Sequence, residues 1–591
     1  MRGILGGLAL LLCCAPAFAQ ESAPHPPRNV ILFVPDGLRS VIVNPDTAPA
    51  MSALMSRGVF FRNSHALFPT FTMPNASAMA TGHKLGDTGV YGNTLWVEFG
   101  VPFIENDAVL GDIDEHFAGD FIDETTLLRA ARAQGYGTAA IGKLGPVLLQ
   151  DHTARNGIDT IIVDDATGTA AGIPLSKPVA DALAEAGLPL AAPSRGDNGK
   201  RGTKVANLTQ QGYFVDVATK IVLPMLKAKG KPFILVYWSR DPDGTQHNQG
   251  DSPDTVTPGI NGPTSMAAIR NADENLARIV DTVNKLGLGD TTDIVISADH
   301  GFSTISKESK TSVAAKAKYA DVPEGELPPG FVAIDIAAAL GLPLLDPDNN
   351  KTKVEAGTHS RGGHGLIGND PSRPDVIVAA NGGADLVYVP SGSKEIAGRV
   401  IATLLAEDYA SGIFVSDKLG RFDGTLPMST VELDGSAITP MPAIVVNFRS
   451  YDTGCGKPEA CTVEIADTPL GQGMGMHGSF SRADTWNFMA AAGPDFKSGW
   501  TDEAPTSNAD VGRTIAELMG LKLKDKGKLI GRVMIEAFPG RGLPRAVHSH
   551  LVSPPDGNGV STVIELQRVG STQYFDAAGF PGRSVGLVPQ N

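Results

Sequence analysis

The stretch Asn29-Val-Ile-Leu-Phe-Val-Pro-Asp-Gly37 decides the fold class of this chain. Its continuous apolar run is typical of a strand buried on both faces in a parallel sheet. The run leads to Asp36, and a glycine follows. The stretches 232–243 and 294–299 show the same pattern, in which an apolar run is followed by an acidic residue. Because ligands of open α/β sheets bind at the carboxyl ends of the strands, these acids stand where a site is expected.

Helix-like segments alternate with these strands. Apolar residues recur at helical spacing over 125–134, 212–229 and 265–286, and each segment leads into an apolar run. Repeated units of this kind predict an α/β fold with a mainly parallel sheet sandwiched by helices. Residues 561–575 alternate between apolar and polar, which predicts a β-hairpin and hence a C-terminal β extension.

Three stretches interrupt this pattern. Residues 94–123 are acidic and irregular, and residues 166–210 are rich in Ala, Gly and Pro. The longest, residues 304–440, has short strands of its own and predicts a small α+β cap with Ala443–Phe448 at its far edge. The predicted organisation is a signal peptide at 1–19, a first part of the core at 20–303, the cap insertion at 304–440, and a second part of the core with the β extension at 441–591.

The N-terminal residues predict export. One Arg precedes a short apolar run, and Ala17-Phe18-Ala19 supplies the small-residue cleavage site of a secretory signal. No later stretch is long and apolar enough for a membrane anchor. The two cysteines outside the signal, Cys455 and Cys461, predict a local disulfide, since a metal site needs more ligands than their loop offers. We therefore expect a periplasmic or secreted protein.

The charge balance limits the partners. The chain of 591 residues carries a formal net charge of −15, which argues against a nucleic-acid or anionic-membrane partner. It is compatible with an anionic small molecule, because a bound dication inverts the local charge. The sequence indicates no oligomeric state.

A threonine stands in a turn that exposes it. Thr72 lies in Phe68-Pro-Thr-Phe-Thr-Met-Pro-Asn75, and Pro74 fits the first turn of a helix. A Thr hydroxyl is a poor nucleophile at neutral pH unless a base or a metal draws off its proton. At a helix N-terminus, backbone N–H groups and the dipole would attract an anion towards it. The plain alternative is that Thr72 caps the helix.

Carboxylates and imidazoles recur near the predicted strand ends. The candidate metal ligands there are Asp36, Asp243, His247, Asp299 and His300. His477, in a glycine-rich loop, is a further candidate, and His364 competes with it. Each has a structural alternative: the loop residues are solvated, and Asp299 caps the next helix.

Together these pieces resemble the alkaline phosphatase superfamily, most closely its type I phosphodiesterase/nucleotide pyrophosphatase branch. They occur in the family's order over residues 28–535, and the insertion is largely uncovered. Each piece is weak alone, and jointly they are specific. The matching pieces are Val34-Pro-Asp-Gly-Leu-Arg39, Phe68–Asn75 with Thr81-Gly82, Asp243-Gly-Thr-Gln-His247, Ala298-Asp-His-Gly301 and His477-Gly-Ser479.

The resemblance implies a metal-dependent phosphoric ester hydrolase that acts on a small-molecule phosphate ester. It implies two Zn²⁺ ions, although other divalent ions also fit such ligands. Thr72 would attack phosphorus, and water would then hydrolyse the phospho-threonine. Asn93 and Lys143 stand where relatives place phosphate-binding groups. The implied ligand sets are Asp36, Thr72, Asp299 and His300 for one ion and Asp243, His247 and His477 for the other.

Three alternatives stay open at this point. Some monoesterases of the superfamily carry an Arg two residues after the Lys, and here that residue is Gly145. A second cation helps to bind the extra charge of a monoester, so its absence favours a diester or nucleotide pyrophosphate over a monoester. A sulfatase is disfavoured because formylglycine cannot arise from Thr72. A non-catalytic zinc-binding surface protein is the alternative from another class, and the full ligand set argues against it.

Overall fold

The computed structural model describes residues 28–524 and 526–588, and the predicted signal peptide lies outside them. In chain order, the strands of the described residues are β1 (Asn29–Pro35), β2 (Val59–Phe61), β3 (Ser64–His65), β4 (Gly137–Gly142), β5 (Ile161–Asp164), β6 (Phe233–Ser239), β7 (Thr292–Ser297), β8 (Ser303–Ser306), β9 (Leu344–Asp346), β10 (Thr352–Lys353), β11 (Gly365–Ile367), β12 (Val376–Ala379), β13 (Ala384–Tyr388), β14 (Ala410–Val415), β15 (Leu426–Pro427), β16 (Ile444–Phe448), β17 (Ser450–Asp452), β18 (Thr462–Ile465), β19 (Gly475–Met476), β20 (Met489–Ala492), β21 (Trp500–Asp502), β22 (Thr506–Ser507), β23 (Ala546–Val552), β24 (Val563–Val569) and β25 (Thr572–Gly579).

The helices confirm the three segments predicted from helical spacing. Residues 125–134 contain α5, and residues 265–286 lie almost wholly within α11. Residues 212–229 cover most of α8, the π-helical turn Val217–Val222 and α9. The α-helices are α1 (Pro49–Arg57), α2 (Thr72–Thr81), α3 (Leu85–Thr88), α4 (Asp107–His116), α5 (Leu127–Ala133), α6 (Pro146–Leu149), α7 (Lys177–Glu185), α8 (Leu208–Asp216), α9 (Leu223–Ala228), α10 (Asp243–Asn248), α11 (Pro263–Lys285), α12 (Val313–Lys316), α13 (Phe331–Leu340), α14 (Lys394–Ala406), α15 (Arg482–Thr485) and α16 (Asn508–Leu518).

A central sheet of eight strands carries the fold, in the order β21-β2-β20-β7-β1-β6-β4-β5. Every neighbouring pair is parallel except the two that β20 makes, so seven strands run in one direction and β20 runs against them. The mainly parallel sheet is therefore confirmed.

Helices cover both faces of this sheet. In β1, Val30 and Leu32 pack into one apolar cluster, and Ile31 and Phe33 pack into the other. The first cluster includes residues of α2, α5 and α16, and the second includes residues of α1, α8 and α11. Burial on both faces explains why the strand is apolar throughout rather than alternating. Among the described residues, no helix has the length and apolar character needed to cross a membrane.

The segment predicted as a cap insertion, residues 304–440, contributes seven strands to a second eight-stranded sheet, and β16 beyond it supplies the eighth. The order is β10-β9-β11-β12-β13-β16-β14-β15. Its strands pair antiparallel except β14 with β15. The predicted position of residues 443–448 at the far edge is wrong, because β16 lies between β13 and β14. Ile444, Val445 and Val446 are fully buried there, so only an interior position satisfies both edges of this apolar strand.

Three smaller sheets complete the described part, and one of them is the pair β22-β3. A four-stranded sheet in the order β17-β18-β8-β19 places the loop after Met476 beside the end of β7. The predicted disulfide joins Cys455 and Cys461 in the loop between β17 and β18. The predicted C-terminal hairpin is confirmed by β24 and β25, which form a separate sheet with β23.

Candidate active site

Four neighbouring strands of the central sheet end at residues predicted to carry chemistry. Their order is β7-β1-β6-β4, and all run parallel, so their carboxyl ends lie side by side. Asp299 and His300 follow β7, Asp36 follows β1, Asp243 begins α10 after β6, and Lys143 follows β4. The sheet therefore gathers these groups from distant parts of the chain.

Thr72 is the first residue of α2 and is fully buried, so the predicted exposure of this residue is wrong. The helix cap is Phe71, so the alternative that Thr72 serves as the N-cap is wrong. Its Oγ1 lies 3.3 Å from His300 Nε2 and 3.1 Å from Lys143 Nζ. The hydroxyl thus faces the strand ends.

The N-terminus of α2 differs from the anion site expected there. The Met73 N–H donates to Asn93 Oδ1 at 2.9 Å, and Pro74 has no N–H to offer. Because Asn93 Oδ1 accepts this bond, its Nδ2 is left as a donor, and it bonds Glu105 Oε1 at 2.9 Å. A side-chain amide therefore replaces part of the backbone donor set.

Each of three buried carboxylates has one engaged oxygen and one oxygen without a hydrogen bond among the described residues. A buried charged oxygen without a partner is costly, and a cation would satisfy it. The engaged atoms and their partners are Asp36 Oδ2 (Trp238 Nε1, 2.6 Å), Asp243 Oδ2 (Lys143 Nζ, 3.1 Å) and Asp299 Oδ1 (Gly37 N, 3.0 Å). The free atoms are Asp36 Oδ1, Asp243 Oδ1 and Asp299 Oδ2.

The three histidines of the predicted ligand sets share one arrangement. Each bonds a backbone carbonyl oxygen through Nδ1 at 2.8 Å: His247 bonds Gly475, His300 bonds Gly301, and His477 bonds Thr70. A carbonyl oxygen only accepts, so each Nδ1 carries the hydrogen, and Nε2 of the neutral ring keeps its lone pair. Such bonds are typical of metal-ligating histidines, whose orientation they hold.

His364 is arranged in the opposite way. Its Nδ1 accepts the Ala380 N–H at 3.2 Å, so in the neutral ring Nε2 carries the hydrogen. The ring of His477 also stacks on the ring of His300, with the two centroids 3.5 Å apart. Within the described residues, the structure brings His477 and not His364 into the ligand groups, which are Asp36 with Asp299 and His300, and Asp243 with His300 and His477. His247 Nε2 lies 3.0 Å from Asp243 Oδ1 at the rim of the second group.

The electrostatics of the site are those of crowded buried acids. Burial first, and then Asp243 and Asp299, raise the pKa of Asp36 well above its usual value. Burial also raises the pKa of Asp299, to about 6. Burial would raise the pKa of Asp243 as well, but Lys143 and His247 outweigh it and hold that pKa well below its usual value. A second cation besides Lys143 would relieve the remaining repulsion.

Lys143 lies at the centre of the acids. Its Nζ is 2.9 Å from Asp36 Oδ2, 3.1 Å from Asp243 Oδ2 and 3.5 Å from Glu105 Oε2. Burial lowers the pKa of Lys143, but these three acids outweigh it, so the group stays an ammonium. The predicted substrate-binding residue is thus also the counter-ion of the site.

Sequence reasoning missed several groups that line or support the site. Trp238 ends the apolar run of β6 and gave no polar signal, yet it donates to Asp36. Glu105 lies in the acidic irregular segment 94–123, where no sequence pattern distinguishes it from the other acids, yet it bonds Asn93.

A cavity of about 420 Å³ opens beside these residues. Its inner wall includes Asn93, Glu105 and Lys143, and the cap insertion contributes His364 and Asn381 to the other wall. Asn381 bonds both the N–H and the C=O of Thr94, at 2.7 and 3.1 Å, so the cap holds the segment that carries Asn93. The volume is in the range of small-molecule sites.

Known proteins resemble the chain to different extents. Human ectonucleotide pyrophosphatase/phosphodiesterase 5 is 14% identical with a TM-score of 0.47, over 84% of this chain and 96% of that one. The murine protein is 13% identical with a TM-score of 0.46, and its inactive variant in complex with AMP gives 13% and 0.45; both cover 87% of this chain and 97% of theirs. Comparison with curated protein sequences found no significant match.

The family model of type I phosphodiesterase/nucleotide pyrophosphatase matches residues 30–356, more than half of the chain. The matched region holds β1, α2, α10 and the end of β7, and hence all the predicted site residues except His477. Enzymes of this family hydrolyse phosphoric esters. The chain therefore belongs to the type I phosphodiesterase/nucleotide pyrophosphatase family and is a phosphoric ester hydrolase.

Proposed function

We propose that this protein is an exported, metal-dependent phosphodiesterase of the nucleotide pyrophosphatase type, with Thr72 as its nucleophile. The observation that carries the proposal is the position of the Thr72 hydroxyl. It lies 3.3 Å from His300 Nε2 and 3.1 Å from Lys143 Nζ, beside buried carboxylates that each keep one oxygen free of hydrogen bonds.

The residues fit two divalent cations. The donors are carboxylate oxygens and imidazole nitrogens with free lone pairs, a set that suits Zn²⁺ and also other divalent ions. When bound, the cations would supply Lewis-acid charge that lowers the pKa of the Thr72 hydroxyl and of water. The residues proposed to hold them are Asp36, Thr72, Asp299 and His300 for one, and Asp243, His247 and His477 for the other.

The chain's own groups prepare Thr72 for attack. His300 Nε2 is an acceptor, so the Thr72 O–H points to it, but burial lowers the pKa of His300 to about 3, which makes it a weak base. Lys143 is an ammonium beside Oγ1 and favours the alkoxide. The protein thus orients the hydroxyl and supplies positive charge, and it depends on a cation for full deprotonation.

Catalysis follows by displacement at phosphorus. The Thr72 oxygen attacks, the ester alcohol leaves, and water then cleaves the phospho-threonine. Lys143 Nζ bonds Thr72 and Asn93 bonds the next residue, Met73, so Lys143 Nζ and Asn93 Nδ2 are the donors proposed to bind phosphoryl oxygens. The cavity beside them would hold the ester groups.

Two further features support the finer assignment. Within the described residues, Lys143 is the one cationic side chain that bonds Thr72, which suits a singly charged diester better than a doubly charged monoester. A phosphomonoesterase is the second candidate. The disulfide between Cys455 and Cys461, together with the leader-like N-terminal sequence, supports export to the periplasm or the medium.

The test is hydrolysis of bis-p-nitrophenyl phosphate and p-nitrophenyl phosphate by purified protein, with and without chelation and Zn²⁺ restoration. We expect faster diester hydrolysis, loss on chelation, and recovery with Zn²⁺. Thr72→Ala is expected to lower kcat by about 10³-fold or more, because no other group replaces the nucleophile.

The matched control is Thr81→Ala at the other end of α2, where the hydroxyl bonds Ser77 O within the helix. Rapid quenching and mass spectrometry should find phosphate on Thr72 of the unmodified protein. Activity that survives both chelation and Thr72→Ala would refute the mechanism, and a large monoester preference would favour the second candidate.

A further inference from the structure

Glu105 holds both donors that a phosphoryl oxygen would use. Its Oε1 accepts from Asn93 Nδ2 at 2.9 Å, and its Oε2 lies 3.5 Å from Lys143 Nζ. The side chain is largely buried and lines the cavity beside Thr72. A carboxylate therefore stands within the proposed phosphate-binding set.

The backbone of residue 105 packs against the glycine two residues after Lys143. A Cβ added at Gly145 would lie 2.5 Å from Glu105 Cα and 2.9 Å from its Cβ, and the backbone there has φ +92°. A longer side chain at 145 would need Glu105 to move. The close approach of residue 105 thus leaves no room for a side chain at 145, and Glu105 places its carboxylate beside Lys143.

The net charge of this arrangement discriminates between substrates. Lys143 contacts Asp36, Asp243 and Glu105, and of these three acids only Glu105 is not a proposed metal ligand. Arg195 and Arg240 also line the cavity, but Glu105 is the acid next to the proposed phosphoryl donors Asn93 and Lys143. A phosphodiester brings one negative charge, whereas a monoester brings close to two at neutral pH. Repulsion between Glu105 and the second charge therefore weighs against the monoester.

We propose that Glu105 is a specificity-determining residue that excludes doubly charged phosphate monoesters from the site. This inference rests on the proposed function. Glu105 acts by occupying Asn93 Nδ2 and by adding a negative charge next to Lys143. A diester is affected less because one of its oxygens carries an ester group instead of a charge.

The test compares Glu105→Gln with the unmodified protein, both loaded with Zn²⁺. Glutamine keeps the shape and can still accept from Asn93, so the fold is retained. We expect kcat/KM for p-nitrophenyl phosphate to rise by about tenfold or more, inhibition by inorganic phosphate to tighten to a similar extent, and diester hydrolysis to change by less than about threefold.

The matched control is Glu115→Gln, which removes the same charge from a solvent-exposed position on α4, the helix that follows Glu105. Equal losses on both esters, or an unchanged ratio and unchanged phosphate inhibition, would overturn the inference and indicate a structural role. If the unmodified protein hydrolyses neither ester, the proposed function itself fails, and the inference fails with it.

Discussion

Asp467 and the acids at the strand ends are all buried, but their carboxylate oxygens differ in the hydrogen bonds they accept. Asp467 accepts the N–H groups of Gly330 and Val332, at 2.6 and 3.4 Å, and so stabilises the start of α13. Nearby, Lys307 Nζ donates to the Ala466 and Thr468 carbonyls. At the strand ends, Asp36, Asp243 and Asp299 each keep one oxygen free.

A free oxygen also occurs in other buried acids, such as Asp335 and Asp385, and the site acids differ because theirs lie together with imidazole nitrogens. A buried carboxylate that is fully hydrogen-bonded offsets its desolvation through the protein alone. One with a free oxygen lowers the stability of the metal-free protein, and a bound cation would restore it. The comparison makes three predictions.

The largest effect is expected at the histidines. His477→Ala should lower Zn²⁺ content and reduce kcat/KM by about 100-fold or more, because it removes a proposed ligand whose Nε2 faces Asp243 at 3.4 Å. His364→Ala is the matched control, since burial lowers the pKa of both rings to about 4 and both line the cavity. Metal analysis and diester kinetics measure the outcome. Equal losses of Zn²⁺ and of activity in the two variants would show that the Nδ1 partners do not distinguish a metal ligand from a non-ligand.

Substitution of the acids should have opposite effects on stability. Asp467→Ala leaves the Gly330 N–H unpaired and should lower the free energy of unfolding by about 1–3 kcal/mol. Asp36→Asn removes a charge from the crowded site and should raise it by about 0.5–2 kcal/mol in the metal-free protein while abolishing activity. Denaturant unfolding in the presence of a chelator is the measurement. A destabilised Asp36→Asn variant would contradict the view that the site costs stability.

The smallest effect concerns Asp335 of α13, which has one bonded and one free oxygen like the site acids but lies outside the candidate metal-ligand groups of the described residues. Burial raises its pKa to about 7, so between the unfolded value and pH 7 the folded state binds more protons than the unfolded state. Stability from this group is therefore present at low pH and lost as pH rises towards 7. In Asp335→Asn the free energy of unfolding should therefore decrease less steeply with pH. The slope should change by less than about 1.4 kcal/mol per pH unit, the limit for one proton.

Unfolding measured from pH 4.5 to 7.5 tests this prediction, with the exposed Glu355→Gln as control. Parallel pH profiles for Asp335→Asn and the unmodified protein would show that the carboxyl titrates alike in both states.

Much of the fold follows from periodicity along the chain. The apolar runs of β1, β6 and β7 and the helical spacing of α11 are local patterns, because a buried strand or an amphipathic helix needs its apolar residues at set intervals. The place of β16 is not local. Its apolar run is equally compatible with an edge and an interior position, and pairing with β13 and β14 decides between them.

The sequence by itself determined the residue types of the site: acids and imidazoles after buried strands, and a Thr that begins a helix. Only the tertiary structure decided which ring nitrogen is free, since the Thr70 carbonyl bonded by His477 and the Ala380 N–H bonded by His364 come from other segments. It likewise placed Glu105 between Asn93 and Lys143. The physical reason is that hydrogen-bond direction and charge depend on neighbours in space, which spacing along one chain does not specify.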